Sequence, residues 1–163
     1  MADKVLYELA ERVGRGLESR GFMLATAESC TGGWIAEAIT MVPGSSAWFD
    51  RGFVTYTYAS KREMLDVREH TLEQHGAVSE AVVREMAQGA LAASRAQVVV
   101  AVSGVAGPSG GTAEKPVGTV CFAWSTKDAP PRSETRHFEG DRESVRRQSV
   151  VHALNVVLES LGR

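Results

Sequence analysis

The sequence predicts an α/β protein of three layers (α/β/α), in which helices cover both faces of a mixed, mainly parallel β-sheet. Apolar segments of strand length alternate along the chain with segments whose apolar residues recur at helical spacing. The run at 97–103 (Gln-Val-Val-Val-Ala-Val-Ser) is typical of a strand buried on both faces. The last two strand segments are separated only by the short stretch 127–132, which favours an antiparallel pair and therefore a mixed sheet.

Each element follows from apolar periodicity and from the residues that start and stop helices. In the first half we predict helix 3–20 ending at Gly21, strand 22–27, a helix that opens at 31–33 and closes at 43–44, strand 52–57 and helix 61–67. In the second half we predict a helix from its N-cap Ser79 to about residue 94, strands 97–103, 117–125 and 134–138, and a last helix capped by Asp141.

Length, composition and charge limit the classes of protein. The 163 residues, 44% of them hydrophobic, suit a single domain over 1–163 that buries its core without disulfides or a metal. The cysteines, Cys30 and Cys121, form no paired motif, which indicates reduced thiols. A charged start and no apolar run of about 18 residues predict a cytoplasmic protein without a membrane partner. The net charge of -2 disfavours a nucleic-acid partner.

Two segments are richer in glycine and small polar residues than folding requires. The first, 27–33 (Ala-Glu-Ser-Cys-Thr-Gly-Gly), lies at a strand-to-helix junction, where glycines allow close approach of a ligand and helix N–H groups favour negative charge. The alternative is a tight turn in which Ser29 or Thr31 serves only as a helix cap. The second, 103–111 (Ser-Gly-Val-Ala-Gly-Pro-Ser-Gly-Gly), follows the best strand and matches neither a P-loop nor a dinucleotide fingerprint. Because ligands of α/β sheets bind beyond the carboxyl ends of strands, we expect both segments to share one crevice.

Histidine is a poor candidate for the chemistry, and lysine a better one. The four histidines lie outside both glycine segments and lack metal-ligand spacing, so we expect no metal and no cofactor. Lys61 follows the strand end that carries Tyr56, where its side chain could enter the crevice. A lysine acts as a base near neutral pH only when its pKa is lowered. The alternative is an ordinary solvated surface lysine.

Several motifs in order resemble the CinA C-terminal domain family over nearly the whole chain. They are 27–33, Pro-Gly-Ser-Ser at 43–46, Gly-Phe-Val-Thr-Tyr at 52–56 with Lys61, Gly-Ala-Val-Ser at 76–79, 103–111, Lys-Pro-Val-Gly at 115–118, and Gly-Asp-Arg at 140–142 with Arg146 and Arg147. The resemblance implies a homodimeric amidase that converts nicotinamide mononucleotide to nicotinate mononucleotide and ammonia in pyridine nucleotide salvage.

The resemblance also implies the site residues. The family serine falls on Ser29, the lysine on Lys61, the tyrosine on Tyr56 and a second site-lining serine on Ser46. Tyr58 departs from the asparagine of many members, so a contact at the pocket rim can differ here.

The chemistry of amide hydrolysis agrees with these assignments. It needs a nucleophile, a base and donors for an oxyanion. Ser29 would attack, Lys61 would take its proton, and Tyr56 would orient Lys61 or donate to the leaving ammonia. We expect the remaining contacts from backbone N–H groups for the oxyanion (Thr31, Gly32, Gly33) and from a phosphate-binding set (Gly104, Gly107, Gly110, Gly111, Arg142, Arg146, Arg147), of whose arginines at least one should be purely structural.

Two other classes stay open from the sequence. One is a non-catalytic nucleotide-binding or regulatory module linked to competence or DNA damage. The other is an interaction protein in DNA uptake or repair, which the absence of a basic stripe disfavours. The joint presence of Ser29, Tyr56 and Lys61 argues for the enzyme.

Overall fold

The structure, a computed structural model, describes residues 3–162, so Met1, Ala2 and Arg163 of the predicted domain lie outside the described residues. Its helices are α1 (Lys4–Ser19), α2 (Trp34–Thr40), α3 (Tyr58–Leu65), α4 (Glu69–His75), α5 (Glu80–Ala92) and α6 (Arg142–Leu161). Its strands are β1 (Leu24–Glu28), β2 (Phe49–Val54), β3 (Val98–Gly104), β4 (Thr119–Thr126) and β5 (Ala129–His137).

The five strands form one mixed sheet in the order β2-β1-β3-β4-β5. β1 pairs in parallel with both β2 and β3, whereas β4 runs antiparallel to both β3 and β5. All of the strands except β4 therefore run in one direction, which confirms the predicted mixed, mainly parallel sheet. The predicted antiparallel pairing of the last two strands is also confirmed.

Helices cover both faces of the sheet, as predicted. One face packs against α1, α2 and α6 through buried side chains such as Leu17, Ile35 and Leu154. The other face packs against α3, α4 and α5 through side chains such as Leu72 and Met86. Each cluster fits the preference of a helix for burying one apolar stripe against the sheet.

Polar caps begin the helices where the sequence predicts them. The side chain of Ser79 accepts a hydrogen bond from the backbone N–H of Val82, and that of Asp141 accepts one from Ser144. Both predicted caps are confirmed. Each cap satisfies a backbone donor that the first turn of a helix leaves without an intrahelical acceptor.

Four elements differ from the sequence-based expectation. α3 begins at Tyr58, three residues before the predicted helix 61–67, because Thr57 caps it. β2 begins and ends three residues before the predicted strand 52–57, because this half-exposed edge strand lacks a clear apolar alternation. The short helix α4 was not predicted. β5 begins at Ala129 and contains Pro130 and Pro131, within the segment predicted as a turn; an edge strand tolerates proline because its outward N–H groups need no ladder partner.

The topology brings the two glycine segments together. β1 and β3 are adjacent and parallel, so residues 29–33 and the loop 105–118 leave the same edge of the sheet. Across residues 3–162, no helix combines the length and apolar character of a membrane span.

Candidate active site

Ser29 lies at the carboxyl end of β1, where the strand turns towards α2. Its backbone N–H donates to the carbonyl of Val102 on β3 (3.0 Å), and its carbonyl accepts from Gly32 (3.0 Å). The side chain is 8% exposed. Two backbone bonds therefore fix a hydroxyl at the edge of the sheet where both glycine segments emerge.

Lys61, which lies on α3, contacts the Ser29 side chain directly. Its Nζ donates to Ser29 Oγ (2.9 Å) and to the carbonyl of Thr55 (2.7 Å), and the residue is 1% exposed. Thr57 caps the first turn of α3 in a capping box with Ser60, which sets the direction of the helix that carries Lys61. The structure thus brings the predicted serine and lysine into direct contact.

Burial lowers the pKa of Lys61 from 10.5 to about 8, against a smaller opposing influence of Cys30. Desolvation disfavours the charged ammonium, so a substantial fraction of the amine is neutral near pH 8. The solvated-surface alternative for this lysine is wrong.

The carbonyl of Thr55 orients Lys61, whereas the sequence-based expectation for Tyr56 was to orient Lys61 or to donate to the leaving ammonia. The backbone N–H of Thr55 donates to the carbonyl of Glu28 (2.8 Å), while its carbonyl accepts from Lys61. The residue is fully buried directly after β2. Thr55 follows the carboxyl end of β2, the strand that pairs with β1, and this position could have identified it as a site residue.

A pocket of about 300 Å³ contains the Ser29–Lys61 pair, a volume at the lower end of the range for small-molecule sites. It is lined by Ser29, Cys30, Tyr56, Tyr58, Lys61, Ala77, Val78, Ser103, Gly104, Val105, Ala106, Gly107, Ser109, Gly110 and Arg142. Gly104, Gly107 and Gly110 thus lie where predicted, whereas Gly111 is outside the lining. A larger depression of about 650 Å³ between α3 and α5 includes neither Ser29 nor Lys61.

The start of α2 is already occupied by a carboxylate. The fully buried Glu28 side chain accepts hydrogen bonds from the Thr31 hydroxyl (2.7 Å) and from the backbone N–H groups of Ile35 (2.8 Å) and Ala36 (3.0 Å). A negative charge at this position complements the N-terminal dipole of the helix. The negative charge expected at this helix start is therefore supplied by the chain's own Glu28.

The predicted oxyanion donors at 31–33 lie beside a different depression from the one that contains Ser29. The backbone N–H of Gly32 is taken by Ser29, and Thr31, Gly32 and Gly33 line a neighbouring depression of about 610 Å³ rather than the Ser29 pocket. In the part of the chain that the structure describes, the backbone N–H groups of Ala106 and Gly107 have no acceptor, and both residues line the Ser29 pocket.

Arg142 and Tyr56 form one wall of the pocket. The guanidinium of Arg142 donates to the Tyr56 hydroxyl (2.9 Å) and to the carbonyl of Gly107 (2.8 Å). Both acceptors are neutral, so the charge of Arg142 is not cancelled by these contacts. Tyr56 is 59% exposed at the pocket mouth.

The other two predicted arginines act elsewhere. Arg146 donates to the carbonyls of Cys30 (3.0 Å) and Thr31 (3.2 Å), stacks over Trp34, and lines the neighbouring depression. Its predicted phosphate contact in the Ser29 pocket is therefore not seen. Arg147 pairs with Asp3 on the side of α6, so it is structural, as expected for at least one of the three.

Ser46 lies near the amino-terminal end of β2, whereas Ser29 follows the carboxyl-terminal end of β1. It belongs to a short 3-10 helix (Ser45–Ala47) before β2. Leu24 pairs with Phe49 at that end, while Ser29 follows β1 at the other end. The separation is the length of a strand, roughly 15–20 Å. Within one chain, contrary to expectation, Ser46 does not line the Ser29 pocket.

Neither a thiol nor a metal cluster competes with the Ser29–Lys61 pair. Burial raises the pKa of Cys30 to about 12, so its thiol stays protonated and weakly nucleophilic. Residues 3–162 contain no group of three or more His, Cys, Asp or Glu side chains placed to hold a metal ion.

Comparisons with known proteins place this geometry in a family. The model of the CinA C-terminal domain matches residues 6–161. A nicotinamide-nucleotide amidohydrolase PncC from Escherichia coli strain K12 is 55% identical over 96% of this chain and 95% of its own, and one from Pseudomonas putida is 56% identical over 93% and 94%. A crystal structure of a competence/damage inducible protein from Agrobacterium tumefaciens superposes with a TM-score of 0.94 at 45% identity, covering 100% of this chain and 99% of that chain.

Proposed function

Because this chain belongs to the CinA C-terminal domain family, we propose that it is a nicotinamide-nucleotide amidohydrolase in pyridine nucleotide salvage. It hydrolyses the carboxamide of nicotinamide mononucleotide to nicotinate mononucleotide and ammonia. Two relatives that match nearly end to end carry the name of this activity. The observation that carries the proposal is the 2.9 Å contact between Lys61 Nζ and Ser29 Oγ inside the pocket.

In the proposed mechanism Ser29 is the nucleophile and Lys61 the base. Neutral Lys61 takes the hydroxyl proton as Ser29 Oγ attacks the carboxamide carbon. The C–N bond then breaks, and the proton on Lys61 passes to the nitrogen, which leaves as ammonia. Water attacks the resulting Ser29 ester while Lys61 takes a proton from it. Collapse of this second intermediate returns the proton on Lys61 to Ser29 and breaks the ester bond. The new carboxyl group loses its remaining proton to solvent and leaves as the nicotinate carboxylate.

The negative oxygen of each tetrahedral intermediate needs fixed donors. The backbone N–H groups of Ala106 and Gly107 are suited to this role, since they line the pocket and have no other acceptor in the described chain. Donors that are already in place need little reorganisation as the charge develops. The glycine loop thus replaces residues 31–33 in this role.

The charged groups of the pocket suit the mononucleotide. Arg142 offers a cation for the phosphate without a carboxylate contact to weaken it. The positive pyridinium ring near Lys61 further favours the neutral amine, because like charges disfavour each other. We expect a cytoplasmic homodimer that uses neither metal nor cofactor.

Release of ammonia from nicotinamide mononucleotide by the purified protein tests the proposal. Ser29→Ala should lose several orders of magnitude in kcat while keeping its thermal midpoint. Ser19→Ala is the matched control and should keep its activity, since the exposed Ser19 hydroxyl donates to the carbonyl of Gly16 on α1 and does not line the pocket. Activity should also survive prolonged dialysis against EDTA.

Three outcomes would contradict the proposal, and each would reject a different part of it. A wild-type protein that binds the mononucleotide but releases no ammonia would be the non-catalytic nucleotide-binding module. Near-normal turnover of Ser29→Ala would move the nucleophile to another hydroxyl. Activity that is lost to EDTA and restored by a metal would reject the serine–lysine mechanism.

A further inference from the structure

The loop 105–118 consists of two limbs, residues 105–111 and residues 112–118, which contact each other beside the pocket. Val105 donates its backbone N–H to Thr119 (2.8 Å), and Gly118 donates to Val105 (2.8 Å). The limbs approach so closely that a Cβ on Gly111 would lie 2.7 Å from the backbone nitrogen of Val117. A restraint on one limb is therefore transmitted to the limb that lines the pocket.

Lys115 fastens this loop to the opposite wall of the pocket. Its Nζ donates to the carbonyl of His75 (2.6 Å), the last residue of α4. A turn presents the lysine: its backbone N–H donates to the Thr112 hydroxyl, and its carbonyl accepts from the Thr112 N–H. A cation at the C-terminus of a helix is further favoured by the helix dipole.

The segment that receives Lys115 is itself part of the pocket. Ala77 and Val78 line the pocket directly after Gly76, whose N–H donates to Leu72 and whose carbonyl accepts from the Ser79 hydroxyl. The contact between Lys115 and His75 therefore joins two walls that belong to distant parts of the sequence.

Arg142 holds the same loop on its other limb. Its guanidinium donates to the carbonyl of Gly107 (2.8 Å), so the loop is fixed by one cation at each limb. Neither contact involves Ser29 or Lys61, which are fixed by β1, α3 and Thr55. The width of the pocket and the geometry of the catalytic pair are thus set by different contacts.

We propose that Lys115 is a positioning residue, and this proposal rests on the proposed function. The bond from Lys115 to His75 sets the distance between the glycine loop and residues 77–78. That distance determines how well the carboxamide substrate fits. Lys115 acts on substrate binding and leaves proton transfer within the Ser29–Lys61 pair unchanged. The contact between Lys115 and His75 gives the motifs at 76–79 and 115–118 a shared structural role, which the Ser29–Lys61 pair alone does not explain.

A direct phosphate contact is the competing role for Lys115. Its Nζ lies at the rim, 3.5 Å from where a Cβ on Gly76 would be, and the Tyr58 hydroxyl lies 4.0 Å from the same point. The geometry favours the positioning role, because Nζ already donates to a carbonyl and Lys115 is not among the residues that line the pocket.

Kinetics of Lys115→Met on two substrates distinguish the roles. We expect KM to rise about three- to tenfold for both nicotinamide mononucleotide and nicotinamide riboside, the loss that one hydrogen bond accounts for. We expect kcat to stay within about twofold, because Arg142 still holds Gly107 and with it the proposed oxyanion donors. Lys115→Arg should restore most of the affinity, since guanidinium also donates to a carbonyl. The matched control is Lys127→Met, at the exposed β4–β5 turn, which should behave as wild type.

Hydrogen exchange tests the same contact without reference to activity. In Lys115→Met the amides of Val105, Thr112 and Gly118, which are hydrogen-bonded within the loop or to its base, should exchange faster than in wild type and Lys127→Met. Because this readout needs no turnover, it still tests the loop contact if the wild-type protein proves inactive.

Three results would overturn the proposal. A rise in KM confined to the mononucleotide would make Lys115 a phosphate ligand. A fall in kcat at constant KM would place it in the chemical step. Unchanged loop exchange in Lys115→Met would show that the bond to His75 does not hold the loop.

Discussion

Lys61 Nζ lies 2.9 Å from Ser29 Oγ and 2.7 Å from the carbonyl of Thr55, two acceptors that hold the amine in one place. Thr55 is in turn bonded through its N–H to Glu28, the residue before Ser29. The positions of Ser29 and Lys61 are thus both fixed by the hydrogen bond between the backbones of Thr55 and Glu28. When Lys61 is neutral, the serine hydroxyl can donate to the amine lone pair along the same line.

The activity should depend on pH through Lys61. Since the base acts in its neutral form, kcat/KM should rise about tenfold per pH unit below a pKa of about 8 and level off above it. Lys61→Met should be nearly inactive. Lys61→Arg should not recover activity, because a guanidinium does not give up its proton at working pH. An active Lys61→Arg protein would show that this residue does not transfer the proton.

Burial of Lys61 should also make stability depend on pH. Folding lowers its pKa from 10.5 to about 8, so between these values the unfolded chain binds the extra proton. Stability should therefore rise by about 3 kcal/mol between pH 8 and 10.5, and it lacks this contribution below pH 8. Denaturant unfolding of wild type and Lys61→Met isolates this residue. The stability of wild type relative to the variant should rise by this amount between pH 8 and 10.5; a constant difference would contradict the shift.

Removal of Arg142 should affect the phosphate-bearing substrate selectively. A charge-assisted hydrogen bond contributes about 1.5–3 kcal/mol, so Arg142→Ala should lower kcat/KM for the mononucleotide by about one to two orders of magnitude. Activity on nicotinamide riboside should fall only by the few-fold that loss of the hydrogen bond to Gly107 accounts for. Arg147→Ala, whose guanidinium pairs with Asp3, is the matched control. Equal wild-type rates on both substrates would exclude phosphate recognition.

The thiol of Cys30 should be chemically inert although it is adjacent to Ser29. Burial raises its pKa to about 12, so the thiolate needed for alkylation is scarce at pH 8. Iodoacetamide at pH 8 should leave both mass and activity unchanged in the folded protein, whereas both thiols should react after denaturation. Rapid loss of activity with modification at Cys30 would contradict this prediction.

Glu28 should contribute to stability and to the placement of Ser29. Glu28→Gln leaves one of its three donors facing an amide NH₂ group, which should cost roughly 1–3 kcal/mol in the free energy of unfolding. It should also lower kcat by loosening the turn. Glu37→Gln, an exposed residue in the first turn of the same helix, is the control and should change little. A stable, fully active Glu28→Gln protein would remove Glu28 from this role.

Local features of the sequence were sufficient for much of the fold. The caps at Ser79 and Asp141 and the buried strand near 97–103 depend on neighbouring residues along the chain, and all three were predicted correctly. The boundaries of β2 and β5 were missed, because edge strands carry a weak apolar pattern and tolerate proline.

The sequence by itself determined the three-layer class, the helix starts and the motifs that mark Ser29 and Lys61 as the residues to examine. Tertiary structure decided which groups meet. Strand register separates Ser46 from Ser29 by the length of β1, and Glu28 rather than the substrate occupies the start of α2. The physical reason is range: caps and periodicity depend on residues within a turn or two, whereas the contacts of Thr55, Arg142 and Lys115 join segments that only sheet pairing and helix packing bring together.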